Sequence, residues 1–337
     1  MLNETAAFIM PHYASDRDHR NILFLKAAID GVFGQTDENW HLIIVDDASA
    51  SIAGKDFLKD LCQKHPRRIS VIFEDKNRGQ GACRNIGIEY AYKNNFPIIL
   101  FNDADDISHE KRLETVRKIF AEDGEADVVY TTFEVIDEYN RPVAAEKIAP
   151  SIQEIITSHK TNPPQGHDCW IRIGTDTGYV NLTSSTAVKT CLAYKCPFPE
   201  ERVSEDAVTW MKYSALGGKF VYTGEIPSLY RNPQNTEGSS SRTREGGREK
   251  FFEKVVKVNT EGFLECIDMG LKNGSLQNEQ IKELMVKFYI KQAKTVYYEK
   301  IYDLAYKEIS KALNLSIDLA FKNLSQQGLE DVLEKCL

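Results

Sequence analysis

The chain lacks the marks of several large protein classes. No apolar run among its 337 residues approaches the ~20 needed to span a bilayer. The opening stretch, MLNETAAFIMPHYAS, has no basic segment followed by a long apolar one and a cleavage site, so no export signal is expected. Positive charge is in deficit: 42 Lys and Arg stand against 50 Asp and Glu, for a formal charge of −8. Phosphate-backbone binding usually shows a basic face, so nucleic acid is not expected as a partner. The seven cysteines (Cys62, Cys83, Cys169, Cys191, Cys196, Cys266, Cys336) are odd in number and form no C-x-x-C pair. A disulfide framework or zinc site is therefore disfavoured, and buried thiols in a reducing cytoplasm are the expectation. No G-x-x-x-x-G-K-[ST] occurs, which counts against a P-loop kinase or ATPase. Repeats and low-complexity tracts are absent as well.

What is present is enough apolar sequence, 42%, for a large core. Short apolar runs alternate with helical periodicity through the first ~130 residues. AAFIM (6–10), HLIIV (41–45), ISVIF (69–73), PIILF (97–101) and DVVYTTF (127–133) read as strands. Between them, Ile22, Leu25, Ile29 and Val32, then Phe57, Leu58 and Leu61, then Ala82, Ile86 and Tyr90, then Leu113, Val116 and Phe120 repeat at helical spacing. Continuous apolar strands interleaved with helices imply an α/β fold, a mainly parallel sheet covered on both faces. In such sheets, functional residues gather beyond the carboxyl ends of the strands. The pattern loosens from 134 to about 230, where a helix over Glu205–Leu216 and strands KFVYT and PSLYR are expected. Residues 232–247, NPQNTEGSSSRTREGG, read as a loop. From 248 onward the chain reads as helical, with a stripe of Ile281, Leu284, Met285 and Phe288, and further helices over YDLAYKEISKAL and LEDVLEKC.

Four stretches have the residue types for chemistry, and each has a plainer reading beside it. IIVDDAS (43–49) ends the second strand with Asp46 and Asp47, which can accept a ring N–H of uracil, thymine or guanine, or merely cap a turn. NRGQGACRNIG (77–87) partly matches G-x-G-x-x-G, but Arg84 stands at the final position and the stretch follows the third strand, which disfavours a dinucleotide-binding dehydrogenase. Its Arg84 could meet an anion or remain solvated in a tight turn. ILFNDADD (99–106) places Asp103, Asp105 and Asp106 just past the fourth strand. Hard carboxylate oxygens suit Mg²⁺ or Mn²⁺, and the plainer alternative is that Asp106 or Ser108 caps a helix starting near His109. RVSEDAVTW (202–210) opens a helix with Glu205 and Asp206, which the helix dipole would favour in any case.

Taken in order, FIMPHYAS, IIVDDAS, NRGQGACRNIG, ILFNDADD, SEDAVTW and LYRNPQNTEGSSSR resemble the landmarks of family 2 glycosyltransferases of the GT-A fold. The resemblance covers roughly residues 5–245 and implies a GT-A domain over 1–245, with a C-terminal helical region over 246–337. By this resemblance Pro11 and Tyr13 line a nucleotide pocket, Asp47 binds the base, and Arg84 lies near the nucleotide or diphosphate. Asp103-Ala104-Asp105 looks like the D-x-D motif, with Asp105 on the metal (Mn²⁺ or Mg²⁺) and Asp103 near ribose or metal-bound water. Asp206 matches the catalytic base. Arg231 and the loop holding Ser239, Ser240 and Arg242 would close over the diphosphate. The implied activity is inverting transfer of one sugar from a nucleotide-sugar, a UDP-sugar foremost, to an acceptor hydroxyl on a glycan, lipid-linked glycan, protein or small molecule, in cell-surface polysaccharide or glycoconjugate synthesis. No Q-x-x-R-W follows the base, which disfavours a processive polymerase. A sugar-nucleotide-forming nucleotidyltransferase and a degenerate nucleotide-sugar-binding module are the alternatives. The expected location is cytoplasmic or peripheral at the inner membrane surface, with the C-terminal helices available for homo-oligomer formation.

Overall fold

In a computed structural model that describes residues 4–15, 20–176, 181–234 and 246–329, the apolar runs become the strands of one seven-stranded sheet. The elements are β1 (Ala6–His12), α1 (Arg20–Phe33), β2 (Trp40–Asp46), α2 (Ile52–Lys64), β3 (Ile69–Phe73), α3 (Gln80–Lys93), β4 (Ile98–Phe101), α4 (Arg112–Glu122) and β5 (Ala126–Ile136). There follow α5 (Pro150–Thr161), α6 (Cys169–Thr175), β6 (Thr186–Lys189), α7 (Thr190–Lys195), α8 (Glu205–Ala215) and β7 (Lys219–Arg231). Four helices complete the described chain: α9 (Arg248–Asn273), α10 (Asn278–Tyr298), α11 (Tyr302–Leu315) and α12 (Ile317–Gln326). The stretch LEDVLEKC lies almost wholly outside the described residues.

The strand order is β3-β2-β1-β4-β6-β5-β7, parallel throughout except for β6, which runs antiparallel to both of its neighbours. Residues of β1 alternate between two cores, as the pleat requires. Ala6, Phe8 and Met10 face α1, α2 and α4, through Leu25, Leu58 and Phe120 among others. Ala7 and Ile9 face α3, α6 and α8, through Cys83, Trp170 and Trp210. Two covered faces explain why the strands read as unbroken apolar runs.

Two expectations change here. KFVYT and PSLYR belong to one 13-residue strand, whose pairing with β5 shifts between Thr131 and Phe133. Gly224 and Pro227 make the sequence look interrupted, but β7 is the edge strand, where proline is tolerated. The four residues of β6 were not anticipated, because TAVK is too short to show any periodicity.

The C-terminal helices join the second core. Phe263 and Phe288 stack with centroids 4.4 Å apart, and Trp170 lies 5.5 Å from Phe263. A Cβ on Gly262 would come within 2.7 Å of Val208, so α9 and α8 approach each other more closely than any side chain at that position would permit. No helix among the described residues is long and apolar enough to cross a membrane.

Candidate active site

Six strands end on one edge of the sheet, and the stretches singled out in the sequence gather there. At the end of β1, Tyr13 is exposed and Pro11 partly so. At the end of β2, Asp46 is buried and engaged: His12 Nδ1 lies 2.9 Å from Oδ2, and the Ser49 hydroxyl donates to the same oxygen at 2.6 Å. The Asp47 carboxylate accepts the backbone N–H groups of Arg78 (2.7 Å) and Gly79 (2.8 Å) at the start of α3. Asp47 thus ties β2 to a helix N-terminus, which suits a negative charge.

The turn after β4 answers how three aspartates tolerate one another, because arginines surround it. Arg84, 1% exposed, donates through Nη2 to Asp103 Oδ1 at 2.7 Å and through Nη1 to Glu205 Oε1 at 2.9 Å. Arg231 donates its backbone N–H to Asp106 Oδ1 and its Nε–H to the Asp105 carbonyl, both at 2.7 Å, and its guanidinium lies 4.4 Å from the Phe24 ring. Arg112 lies fully buried and donates to the Ser108 hydroxyl and the carbonyls of Phe101 and Thr186, each at 2.9 Å. Burial lowers its pKa to about 9, which still leaves it charged at neutral pH.

The capping expectation fails. Helix α4 begins at Arg112, after Lys111, which makes no side-chain cap bond. Ser108 instead donates to Asn102 Oδ1 at 2.7 Å, and Asp106 turns inward to Arg231 and Ser184. Burial, then the charges of Asp105 and Asp103, push the Asp106 carboxyl well above its ordinary range. Arg84 is not solvated: it is buried and bound to Asp103 and Glu205, whereas the buried Arg231 guanidinium donates to the backbone carbonyls of Asp105 and Asp137 and leaves Nη2 without a partner among the described residues. Of the glycines of NRGQG, Gly79 takes a positive φ of 92°, and a Cβ on Gly81 would lie 2.9 Å from the Pro199 carbonyl, in the segment leading to Glu205.

Two carboxylates remain open. Asp105 is exposed to solvent, and no other residue's donor reaches its carboxylate among the described residues. The protein packed around it, then the charge of Asp103, raise its pKa to about 6. Asp206, partly exposed at the first turn of α8, accepts the Ala207 N–H on Oδ1. Desolvation, then the neighbouring Glu205 charge, raise it to about 7 against the opposing pull of Arg84. Glu205 itself is buried and also accepts from Gln80 Nε2 at 2.5 Å.

Among the described residues no three His, Cys, Asp or Glu side chains converge as a ready-made cation cage. The donor set is narrower: the free Asp105 carboxylate and the second oxygen of Asp103. That suits Mg²⁺ or Mn²⁺, which commonly take one or two protein carboxylates and complete their shell with water and substrate oxygens.

The model of glycosyl transferase family 2 matches residues 8–180, half of the chain and the part holding β1 to β5 with Asp47, Arg84 and the acidic turn. The chain belongs to this family. Glycosyltransferase GlyG of Streptococcus pneumoniae serotype 4 is 24% identical to it over 332 residues, covering 96% of this chain and 99% of that one. Among solved structures, residues 1–349 of Staphylococcus aureus TarS superpose with a TM-score of 0.54 at 15% identity, over 99% of this chain and 92% of that one. A mannosyltransferase of Pyrobaculum calidifontis, PcManGT, solved with GDP-Man and Mn²⁺, gives 0.52 at 14% identity, over 95% and 86%. The fold of this family 2 glycosyltransferase is therefore GT-A, with additional C-terminal helices.

The sequence pointed to most of the residues on this edge but missed three. Arg112 was hidden as an ordinary helix residue, and Ser184 lay in an unpatterned stretch. Tyr230 was passed over beside Arg231. Ser239, Ser240 and Arg242 lie outside the described residues.

Proposed function

We propose that this glycosyltransferase is an inverting, divalent-metal-dependent enzyme that moves one sugar from a nucleotide-sugar, a UDP-sugar foremost, to an acceptor hydroxyl. The observation that carries the reading is the division of labour around Arg84. One carboxylate of each acidic pair is bound to its guanidinium, and one is left open to solvent: Asp105 after β4, Asp206 at the start of α8. Nucleotide-sugar use is supported by the structural likeness to TarS, which has been solved with UDP-GlcNAc, and to PcManGT with GDP-Man.

In this reading Asp47 accepts a ring N–H of the base, since carboxylate oxygens bonded once to backbone amides retain further lone pairs. Pro11 and Tyr13 flank the nucleotide. A divalent cation held by Asp105, with Asp103 beside it, would offset the charge of the leaving diphosphate. Asp206 takes the proton of the acceptor hydroxyl as its oxygen bonds to the anomeric carbon. The bond from that carbon to the diphosphate breaks, and its electron pair leaves with the phosphate oxygen. A single displacement inverts the anomeric centre. A base with a pKa near 7 is matched to neutral working pH. Arg84 acts as a positioning residue that holds Asp103 and Glu205, and Arg231 fixes the acidic turn through its backbone N–H on Asp106 and its Nε–H on the Asp105 carbonyl.

The test is release of nucleoside diphosphate from UDP-glucose, UDP-GlcNAc and GDP-mannose with Mn²⁺ or Mg²⁺. Asp105→Ala and Asp206→Asn should each lower the rate at least about a hundredfold, the usual scale for a lost electrostatic or base contribution. Unchanged turnover in both variants, or pyrophosphate release from a nucleoside triphosphate instead, would overturn the assignment.

A further inference from the structure

Tyr230 occupies a position that no role assigned so far explains. It is flanked by two residues fastened to the acidic turn. On one side, Leu229 and Ile107 exchange backbone hydrogen bonds at 2.9 and 3.0 Å. On the other, Arg231 holds Asp106 and the Asp105 carbonyl. Side chains alternate along a strand, so Tyr230 points to the sheet face opposite Arg231. Arg231 lies against Phe24 of α1, whereas the Tyr230 ring packs edge-on to Phe133 (5.9 Å) in the cluster covered by α5. Phe133 continues the face of Tyr130, which belongs to the core holding α3 and α8. The phenol is thereby brought to the side of the sheet from which Glu205 and Asp206 approach.

Tyr230 is partly exposed, and its hydroxyl forms no hydrogen bond among the described residues. Burial, followed by the charges of Asp106, Asp105, Asp103 and Asp206 in that order, pushes its pKa well above the ordinary phenol value. The phenol is therefore a neutral donor at working pH, and its place beside the acidic turn is set by the bonds of Leu229 and Arg231. An acceptor oxygen in such a place would have to be brought by substrate. With Arg84 committed to Asp103 and Glu205, and the Arg231 guanidinium on the opposite face against Phe24, an uncommitted neutral donor beside the turn is suited to an oxygen that gains negative charge during the reaction.

Building on the glycosyl-transfer reading above, we propose that the Tyr230 hydroxyl donates a hydrogen bond to the departing phosphate oxygen of the nucleoside diphosphate. No proton is transferred: the bond strengthens as the electron pair of the broken glycosidic bond settles on that oxygen. Tyr230 is on this view a catalytic residue, distinct from the neighbouring Arg231, which only positions the turn.

Tyr230→Phe keeps the ring and its packing on Phe133 and removes the hydroxyl alone. Two readouts apply: steady-state release of nucleoside diphosphate from whichever of UDP-glucose, UDP-GlcNAc and GDP-mannose the wild type uses, and calorimetric binding of UDP, GDP and the intact sugar nucleotide. We expect kcat to fall at least about tenfold with KM and thermal midpoint unchanged, since the interaction is made mainly in the transition state. Affinity for the free diphosphate, which bears the extra charge, should fall about tenfold, while the sugar nucleotide binds as before. A kcat within twofold of wild type, or equal weakening of diphosphate and sugar nucleotide, overturns the proposal. A wild type that turns over none of the three donors counts against the transfer reading, and the binding comparison then still decides on Tyr230. A wild type that binds neither UDP nor GDP overturns both.

Discussion

The acidic turn after β4 and the acidic start of α8 are built alike, although one ends a strand and the other opens a helix. Each presents one carboxylate to Arg84, Asp103 in the first and Glu205 in the second. Each leaves a companion nearby with a raised pKa, Asp105 at about 6 and Asp206 at about 7. They differ in their supports. The turn rests on Arg112 and Arg231, with backbone in ordinary regions, whereas α8 begins from Ser204 in the left-handed region (φ 54°, ψ 15°). Positive charge steadies the first, and a strained residue aims the second. One buried arginine serving both makes it the point where the two acidic segments are held in register.

Breaking that shared support should have the largest effect. Arg84→Met leaves Glu205 buried without its partner, a situation that usually costs about 3–5 kcal/mol. We expect urea unfolding to shift by that order and diphosphate release to be lost. Arg84→Lys offers one nitrogen in place of the two that meet Asp103 and Glu205, so it should fold and still lose most of its turnover.

An intermediate effect sharpens the difference in pKa. On the proposed mechanism Asp206 must be deprotonated to act, so kcat/KM should fall about tenfold per pH unit below about 7. Because the Glu205 charge helps raise the Asp206 pKa, Glu205→Gln should move this break to lower pH. A break that stays in place would mean that the two carboxylates do not communicate.

The smallest effect concerns Ser204. Ser204→Gly removes a left-handed Cβ penalty and should leave stability within about 1 kcal/mol and turnover near wild type. Ser204→Val forces a β-branched residue into that conformation and should lower kcat more than it raises KM, because it disturbs the start of α8. Equal behaviour of the two variants would remove the strain from the account.

The parallel half of the fold was legible because strands buried on both faces read as continuous apolar runs, and their helices carry clear stripes. Beyond residue 134 the signal fails for local reasons. TAVK is four residues long, and Gly224 with Pro227 masks a single edge strand. The open carboxylates could be found because their position after a strand or at a helix start is itself informative. Their partners could not. Arg84 lies 19 residues from Asp103 and 121 from Glu205, separations that no periodicity encodes. Ser108 resembles a helix cap in sequence, yet its hydroxyl belongs to the Asn102–Arg112 network beneath the turn.

The close approach of α9 to α8 at Gly262 ties the tail to the chemistry in a way that concerns the lifetime of the enzyme. Helix α8 carries Asp206 on its first turn, while Val208, Trp210 and Met211 share one apolar cluster with Phe263, Ile267 and Phe288. Peeling off the C-terminal helices would strip one wall from the segment that aims the carboxylate. On the proposed role of Asp206, a protease that cut ahead of α9 should therefore inactivate the molecule rather than trim it.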